Sequence, residues 1–172
     1  MQISRAGISN NESGFTLLEL SVAIFLVALF SFLVVPSVMM VGEDRMAVEA
    51  RRLAGAVKYN YNEAALSGRR HRLQIDLDKG SYGFAEFVPK GDRLELTPIG
   101  NRRNLPDDVR FRDVTVAGRG LHSQGEIEVD IFPVGWMEET TIHLEQGDDN
   151  VLTLHIVPLT GIVEVYEGYQ EI

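Results

Sequence analysis

The sequence is missing one reactive residue type altogether. None of its 172 residues is cysteine, which excludes disulfide frameworks, thiolate zinc sites, iron–sulfur clusters and cysteine nucleophiles. With 16 Gly and 6 Pro the chain has too few of these residues for a fibrous repeat, and 45% apolar residues are too many for a disordered protein. A chain of this length is sufficient for one domain with its own core.

Basic residues are absent from the last third of the chain. Residues 120–172 contain 11 Asp or Glu and no Lys or Arg, whereas residues 43–119 contain 15 basic and 12 acidic residues. The net charge of −9 argues against general nucleic-acid binding, which needs basic charge, so we expect no nucleic-acid partner. The asymmetry predicts an acidic surface that orients subunits or attracts a basic partner, with plain solubility as the alternative.

Charge is also absent from a long run near the N-terminus. Residues 20–42 contain no charged residue, and 21 of residues 15–41 are apolar. As a helix, 23 such residues would extend about 35 Å, more than the roughly 30 Å of a bilayer core. A secretory signal would have a shorter apolar run and a small-residue cleavage site. The pattern predicts a transmembrane helix over residues 15–41.

One acidic residue lies inside this apolar segment. Glu19 follows Phe15 by four positions, and a carboxylate near the bilayer interior costs about 3 kcal/mol on insertion scales. Glu19 is therefore expected to have a partner, with a position among the lipid headgroups as the alternative. Pro36 removes an amide donor and predicts a kink or a loosened turn, either for assembly or as a simple bend.

Residues 14–20, GFTLLEL, resemble the processing signature of type IV pilins and type II secretion pseudopilins. The resemblance implies that residues 1–14 form a leader, that prepilin peptidase cleaves between Gly14 and Phe15, and that Phe15 is N-methylated. It also implies that Glu19 pairs with the new amine of a neighbouring subunit. Pro36 falls where these proteins commonly carry a proline.

Helical periodicity continues after the apolar run. Apolar residues recur every three or four positions along residues 43–67, while Glu49 and most other charged residues fall off this stripe, and Gly68 is a typical helix stop. The stripe consists of Met46, Ala50, Leu53, Val57, Tyr61 and Ala64. We expect one helix over about residues 16–67, with residues 42–68 as its periplasmic continuation.

The remaining residues, 69–172, alternate as strands separated by turns. Seven or eight short strands are expected, and they predict an α+β, pilin-like fold in which the long N-terminal helix packs on antiparallel sheets. The candidates are residues 73–77, 82–88, 93–99, 109–116, 127–131, 142–144, 151–156 and 162–166.

Residues 63–70, EAALSGRR, and the later segments 131–135, IFPVG, and 160–161, TG, resemble the minor pseudopilin H (GspH-type) family of type II secretion. Val134 departs from that pattern, in which Asp is common. The two C-terminal cysteines of many major type IV pilins are missing, which argues against that class.

This resemblance implies a minor pseudopilin at or near the pseudopilus tip, with a single pass through the inner membrane and a periplasmic head. Its partners would be other major and minor pseudopilins, prepilin peptidase, the inner-membrane secretion platform and exported cargo. One alternative is a minor type IV pilin of the FimT/FimU kind, for pilus assembly, adhesion or DNA uptake. Another is a membrane-anchored periplasmic enzyme or binding protein.

Candidate catalytic and metal sites are few. His143 and His155 fall in neighbouring predicted strands, where both are expected on a solvated face, and Ser123 lacks the spacing of a nucleophile elbow. Asp148, Asp149 and Asn150 offer oxygen ligands but fall short of the roughly six to eight that calcium requires, so a solvated turn is expected. We predict no catalytic residues, no metal site and no cofactor.

Overall fold

The computed structural model describes residues 17–39, 45–147 and 150–172. The chain divides into two compact units, the first ending at Gly42 and the second beginning at Glu43. The predicted leader and the Gly14–Phe15 bond lie outside the described residues. So do residues 40–44, and the continuity of a single helix over residues 16–67 therefore stays a prediction.

The first unit contains helix α1, Leu17–Met39, which continues past Pro36. Every side chain from Leu17 to Phe30 is exposed, although most of them are apolar. Within residues 17–39, 45–147 and 150–172, no helix combines the length and the hydropathy that crossing a membrane requires.

The second unit begins with helix α2, Arg45–Ser67. It ends where the sequence predicts, because Gly68 has a φ of +68° and so adopts the left-handed conformation typical of a helix C-terminus. All six residues of the predicted apolar stripe are buried, which confirms that the stripe faces the core. Glu49, expected off the stripe, is buried as well, with only 2% of its surface exposed.

Ten strands follow in the described residues, two more than the longest prediction. They are β1 (His71–Asp76), β2 (Ser81–Lys90), β3 (Arg93–Asn104), β4 (Val109–Val116), β5 (Gly120–His122), β6 (Glu126–Phe132), β7 (Trp136–Met137), β8 (Thr140–Gln146), β9 (Asn150–Val157) and β10 (Ile162–Glu167). The additional strands, β5 and β7, have three and two residues, too few to show an alternating pattern. Residues 120–122, which carry no strand pattern of their own, pair with β4.

The strands form two antiparallel five-stranded sheets. Sheet A has the order β3-β2-β1-β6-β7, and sheet B has the order β10-β9-β8-β4-β5. Helix α2 contacts strands of both sheets, and the buried apolar residues of all three layers form one cluster. This arrangement confirms the predicted α+β fold, with a helix packed on antiparallel sheets.

Candidate functional site

Glu19 lies in the first turn of α1, where the partial positive charge of the helix N-terminus favours a carboxylate. Pro36 lies near the other end of the same helix. Gly14 and Phe15 fall outside the described residues. The processing and assembly roles of these four residues therefore stay predictions.

In the second unit, Tyr61 of α2 joins two turns that are distant in sequence. Its hydroxyl oxygen lies 2.5 Å from the carbonyl oxygen of Gly135 and 2.6 Å from that of Leu159, so the O–H donates to this pair of acceptors. One turn further towards the N-terminus of α2, the Lys58 ammonium donates to the carbonyl oxygen of Thr160 at 2.5 Å. The helix thereby holds together the turn after β6 and the turn after β9.

Two glycines allow this close approach. A Cβ at position 161 would lie 2.4 Å from Cγ of Tyr61, and the φ of Gly161 is +60°, so a side chain there meets both a clash and backbone strain. Gly135 has a φ of +79°, and a Cβ added at this position would lie 3.5 Å from the Tyr61 hydroxyl oxygen. The segments that end in Gly135 and Gly161 thus meet at one joint, in which Tyr61 contacts both. The sequence predicted Tyr61 only as a core residue.

The joint exposes a small apolar surface. Residues 131–137 and 156–163 contain no charged residue, and their turns expose Val134 (85%), Leu159 (72%) and Trp136 (40%). We call these three residues the apolar tip. The Trp136 ring packs against Phe132 at 5.1 Å between centroids, and the Met137 amide donates to the carbonyl oxygen of Pro158 at 3.0 Å. The tip therefore rests on defined contacts rather than on a free loop.

Beneath the tip, the outer face of sheet A carries arginines stacked on aromatic rings. The Arg70 guanidinium lies 4.7 Å from the Phe87 ring and 5.0 Å from the Phe132 ring, and both Arg70 and Arg72 donate to Asp130. Burial alone would raise the pKa of Asp130, but the hydrogen bonds from Arg72 and Arg70 outweigh it and lower that pKa. These contacts hold Phe132, and with it Trp136, in place.

Glu49 forms a second charged cluster, at the N-terminal half of α2. Arg103 of β3 makes a bidentate contact with it, Nη2 to Oε1 at 2.8 Å and Nε to Oε2 at 3.0 Å, and Arg52 adds a bond of 2.7 Å. These bonds, first of all that from Arg103, hold the pKa of Glu49 below its usual value despite burial. Burial raises the pKa of the nearby Tyr82 hydroxyl to about 12. Glu49 lies off the predicted apolar stripe and is nevertheless buried, because these arginines compensate its desolvation.

The two histidines predicted on a solvated face are buried instead. They lie on the outer face of sheet B, and the C-terminal segment covers His143: its ring stacks on Tyr169 at 3.9 Å, and its Nε2 lies 3.1 Å from the carbonyl oxygen of Gln170. His143 Nδ1 lies 2.6 Å from Oδ1 of Asp113. His155 is buried beside Thr141, with its Nδ1 3.3 Å from the Thr hydroxyl. Alternation placed both residues on the outer face correctly, but it gave no sign that residues 168–172 fold over that face.

The pairing of Asp113 with His143 has the geometry of a base and the group that orients it. The second ring nitrogen of His143, Nε2, however, faces the Gln170 carbonyl oxygen. The ring therefore has no free nitrogen for a substrate proton. In the described part of the chain no group of three or more His, Asp or Glu side chains is placed to hold a metal ion. Asp148 and Asp149 of the acidic turn lie outside that part. The contacts of His143 pack the C-terminal segment against sheet B.

A comparison with protein-family models identifies the class of the N-terminal region. Residues 9–35 match the family model of the prokaryotic N-terminal methylation motif. No curated protein matches the chain. The chain thus combines a prepilin-type N-terminal region with an α+β, pilin-like fold.

The particular resemblance is to the minor pseudopilin EpsH from the type II secretion system of Vibrio cholerae. One EpsH structure has a TM-score of 0.59 at 14% identity, covering 74% of this chain and 100% of that chain. Another has a TM-score of 0.58 at 14% identity, covering 75% and 99%. The resemblance read from the sequence is therefore confirmed in its motif and in its fold.

Proposed function

We propose that this protein is a minor pseudopilin of a type II secretion system, at or near the tip of a periplasmic pseudopilus that helps to export folded proteins. The observation that carries the proposal is the combination in one chain of the methylation motif at residues 9–35 and a fold similar to that of EpsH. Filament subunits of this kind work by assembling. The capped ring of His143 agrees with a head that is not an enzyme.

The N-terminal region would anchor and assemble the subunit. In this proposal, prepilin peptidase removes residues 1–14, Phe15 is methylated, and residues 15–41 form a single pass through the inner membrane. Support comes from the uncharged run over residues 20–42 and from the apolar side chains that α1 exposes between Leu17 and Phe30, since such a surface needs lipid or other apolar helices around it.

Glu19 would then pair with the Phe15 amine of a neighbouring subunit. In a medium that screens charge weakly, this attraction offsets the cost of placing a carboxylate there. Pro36 would loosen the helix for packing in the filament. The partners are other major and minor pseudopilins, the prepilin peptidase, the inner-membrane secretion platform and the exported cargo, with the head, residues 69–172, and the helix over residues 42–68 in the periplasm.

A gene deletion in the native organism, complemented with the intact chain, tests this function. We expect exported proteins to disappear from the medium and to accumulate in the periplasm, and we expect the intact gene to restore export. A minor type IV pilin also carries a methylation motif, so pilus number and surface motility are measured in parallel. Normal export with loss of pili would replace the secretion proposal by the pilus alternative.

A further inference from the structure

We propose that the C-terminal segment, residues 168–172, is a pH-sensitive cover over the outer face of sheet B, closed while His143 is protonated and loosened when this ring loses a proton. The observation that carries the proposal is that both ring nitrogens of His143 face hydrogen-bond acceptors. The proposal concerns the folded head by itself and does not depend on the proposed secretion function.

The first argument is the number of protons at His143. Its Nδ1 lies 2.6 Å from Oδ1 of Asp113, and its Nε2 lies 3.1 Å from the carbonyl oxygen of Gln170. A carboxylate and a carbonyl oxygen accept hydrogen bonds and donate none, whereas a neutral imidazole carries one N–H and an imidazolium carries two. Only the protonated ring therefore donates to both partners at once, and moving the shared proton onto Asp113 leaves this count unchanged.

The second argument is which bond a neutral ring gives up. A hydrogen bond to a carboxylate is stronger than one to a neutral carbonyl, so the remaining proton stays on Nδ1, towards Asp113. The lone pair of Nε2 then faces the Gln170 carbonyl oxygen, and two acceptors repel each other. Closure is thus linked to the binding of one proton, and the closed fraction must rise as the pH falls and decrease as the pH rises.

The ionisable groups around His143 leave this sign unchanged. They are Arg110, Arg112 and Asp113 of β4, Glu145 of β8, His155 of β9, and Tyr169 and Glu171 of the C-terminal segment. Burial, together with the charges of Asp113 and Glu171, raises the pKa of Tyr169, so its hydroxyl keeps its proton. Histidine is the side chain whose charge ordinarily changes between about pH 5 and 8, and His155 contacts Thr141 instead of the C-terminal segment.

The third argument is that the C-terminal segment can leave the sheet without opening the core. The side chains beneath it include Thr115, Thr141 and Thr153, which water can solvate, and a cavity of about 260 Å³ remains between segment and sheet. The backbone of the segment is bonded to Val151 and Thr153 of β9. Opening therefore breaks a few hydrogen bonds and one ring stack, which is typical of local opening at low free energy.

Amide hydrogen exchange of the full chain in detergent, followed by NMR between about pH 5 and 8, tests the proposal. The readout is the protection factor of the Gln170 amide, which donates to the Thr153 hydroxyl oxygen. A protection factor is taken relative to the intrinsic exchange rate, so the direct effect of pH on the exchange chemistry cancels. We expect it to fall about tenfold across this range, in line with the net contribution of one hydrogen bond. A protection factor that stays constant or rises with pH would overturn the proposal.

Two variants and a control assign the effect to the proton of His143. His143→Leu has no ring proton to lose, so the Gln170 amide should be weakly protected at every pH. Asp113→Asn should have the opposite effect, because the new amide group can donate to Nδ1 and a neutral ring can then donate from Nε2 to Gln170. Strong protection should therefore persist to about pH 8. The matched control, His155→Leu, removes the other buried histidine of this face and should keep the pH dependence of the wild type.

Each variant also has an outcome that contradicts the proposal. A pH dependence that persists in His143→Leu, or that disappears in His155→Leu, would place the titrating group elsewhere. Weak protection at every pH in Asp113→Asn, which keeps the histidine ring, would refute the proton count at His143. Unchanged fluorescence of Trp136, the single tryptophan, verifies that each variant is folded. None of these outcomes depends on export, so this proposal and the secretion proposal are tested separately.

Discussion

The ring of Tyr61 occupies the space that a side chain at position 161 would need, since a Cβ there would lie 2.4 Å from Cγ of the tyrosine. This contact places the turn after β9 directly on α2. The hydroxyl of the same tyrosine holds the turn after β6. One aromatic residue of the helix thus fixes the relative position of sheet A and sheet B at this end of the head.

Gly161→Ala should destabilise the protein through this contact. We expect the free energy of unfolding to fall by about 2–4 kcal/mol, because backbone strain and overpacking add. The matched control is Gly118→Ala, at a φ of +77° with open space around it, which should cost only about 1–2 kcal/mol of strain. Urea unfolding of the full chain in detergent, followed by the fluorescence of Trp136, the single tryptophan, measures both.

A variant of Tyr61 separates the steric clash from the backbone strain. In a Tyr61→Ala background the ring is gone, so the extra cost of Gly161→Ala over Gly118→Ala should disappear. An extra cost that persists there would show that the ring is not its cause.

Arg103→Ala should remove the main partner of a buried carboxylate. Because Glu49 is 2% exposed, we expect a loss of about 1–3 kcal/mol at pH 7. The matched control is Arg102→Ala, whose ion pair with Glu126 is half exposed and is worth under about 1 kcal/mol. Equal losses for both variants would contradict the account of Glu49.

The effect of Arg103→Ala should also depend on pH. The folded pKa of Glu49 lies below its ordinary value of 4.5, so the stabilisation is fully present above that value and disappears as the pH falls through the folded pKa. The difference between wild type and variant should therefore narrow below pH 4.5. A difference that stays constant into the acid range would exclude the charge of Glu49 as its source.

His143→Leu should loosen the C-terminal segment. The amide of Gly168 donates to the Val151 carbonyl oxygen at 2.8 Å and that of Gln170 to the Thr153 hydroxyl at 3.0 Å, so hydrogen exchange at these two amides reports on the segment. Losing the His143 contacts should speed their exchange about tenfold, in line with the net contribution of one or two hydrogen bonds. His155→Leu, on the same face but bonded to Thr141, should leave these amides protected, and equal acceleration by both variants would contradict the predicted role of His143.

Glu19→Val should leave membrane insertion intact and weaken assembly. The change removes a carboxylate from an apolar segment, so insertion becomes no less favourable, while the predicted pairing with a neighbouring Phe15 amine is lost. Membrane fractionation measures insertion, and co-purification with the other methylation-motif proteins measures assembly. Unchanged export and unchanged co-purification would argue against an essential pairing role.

The sequence predicts those parts of the fold that depend on regular burial. The stripe from Met46 to Ala64 faces the core because a helix brings every third or fourth residue to one side, and Val109–Val116 forms a strand with the predicted limits. Position 161 needs glycine because of Tyr61, which is 100 residues away in the chain. No local pattern contains that information.

Polar residues mark where prediction from the sequence stops. Glu49 is buried because Arg103 arrives from β3, and His143 is buried because the C-terminal segment lies over sheet B. Local alternation gives the face of a residue but not what later covers that face. Strand β3 illustrates the same limit, since it continues from the predicted end at Ile99 to Asn104 through pairing with β2 rather than through its own apolar pattern.

The mass of the mature N-terminus, measured on the protein purified from its native membrane, tests the central claim most directly. We predict a chain that begins at Phe15 and carries one N-methyl group, and we expect Gly14→Ala to slow the appearance of this species. An intact Met1, or a new terminus anywhere other than Phe15, would contradict it.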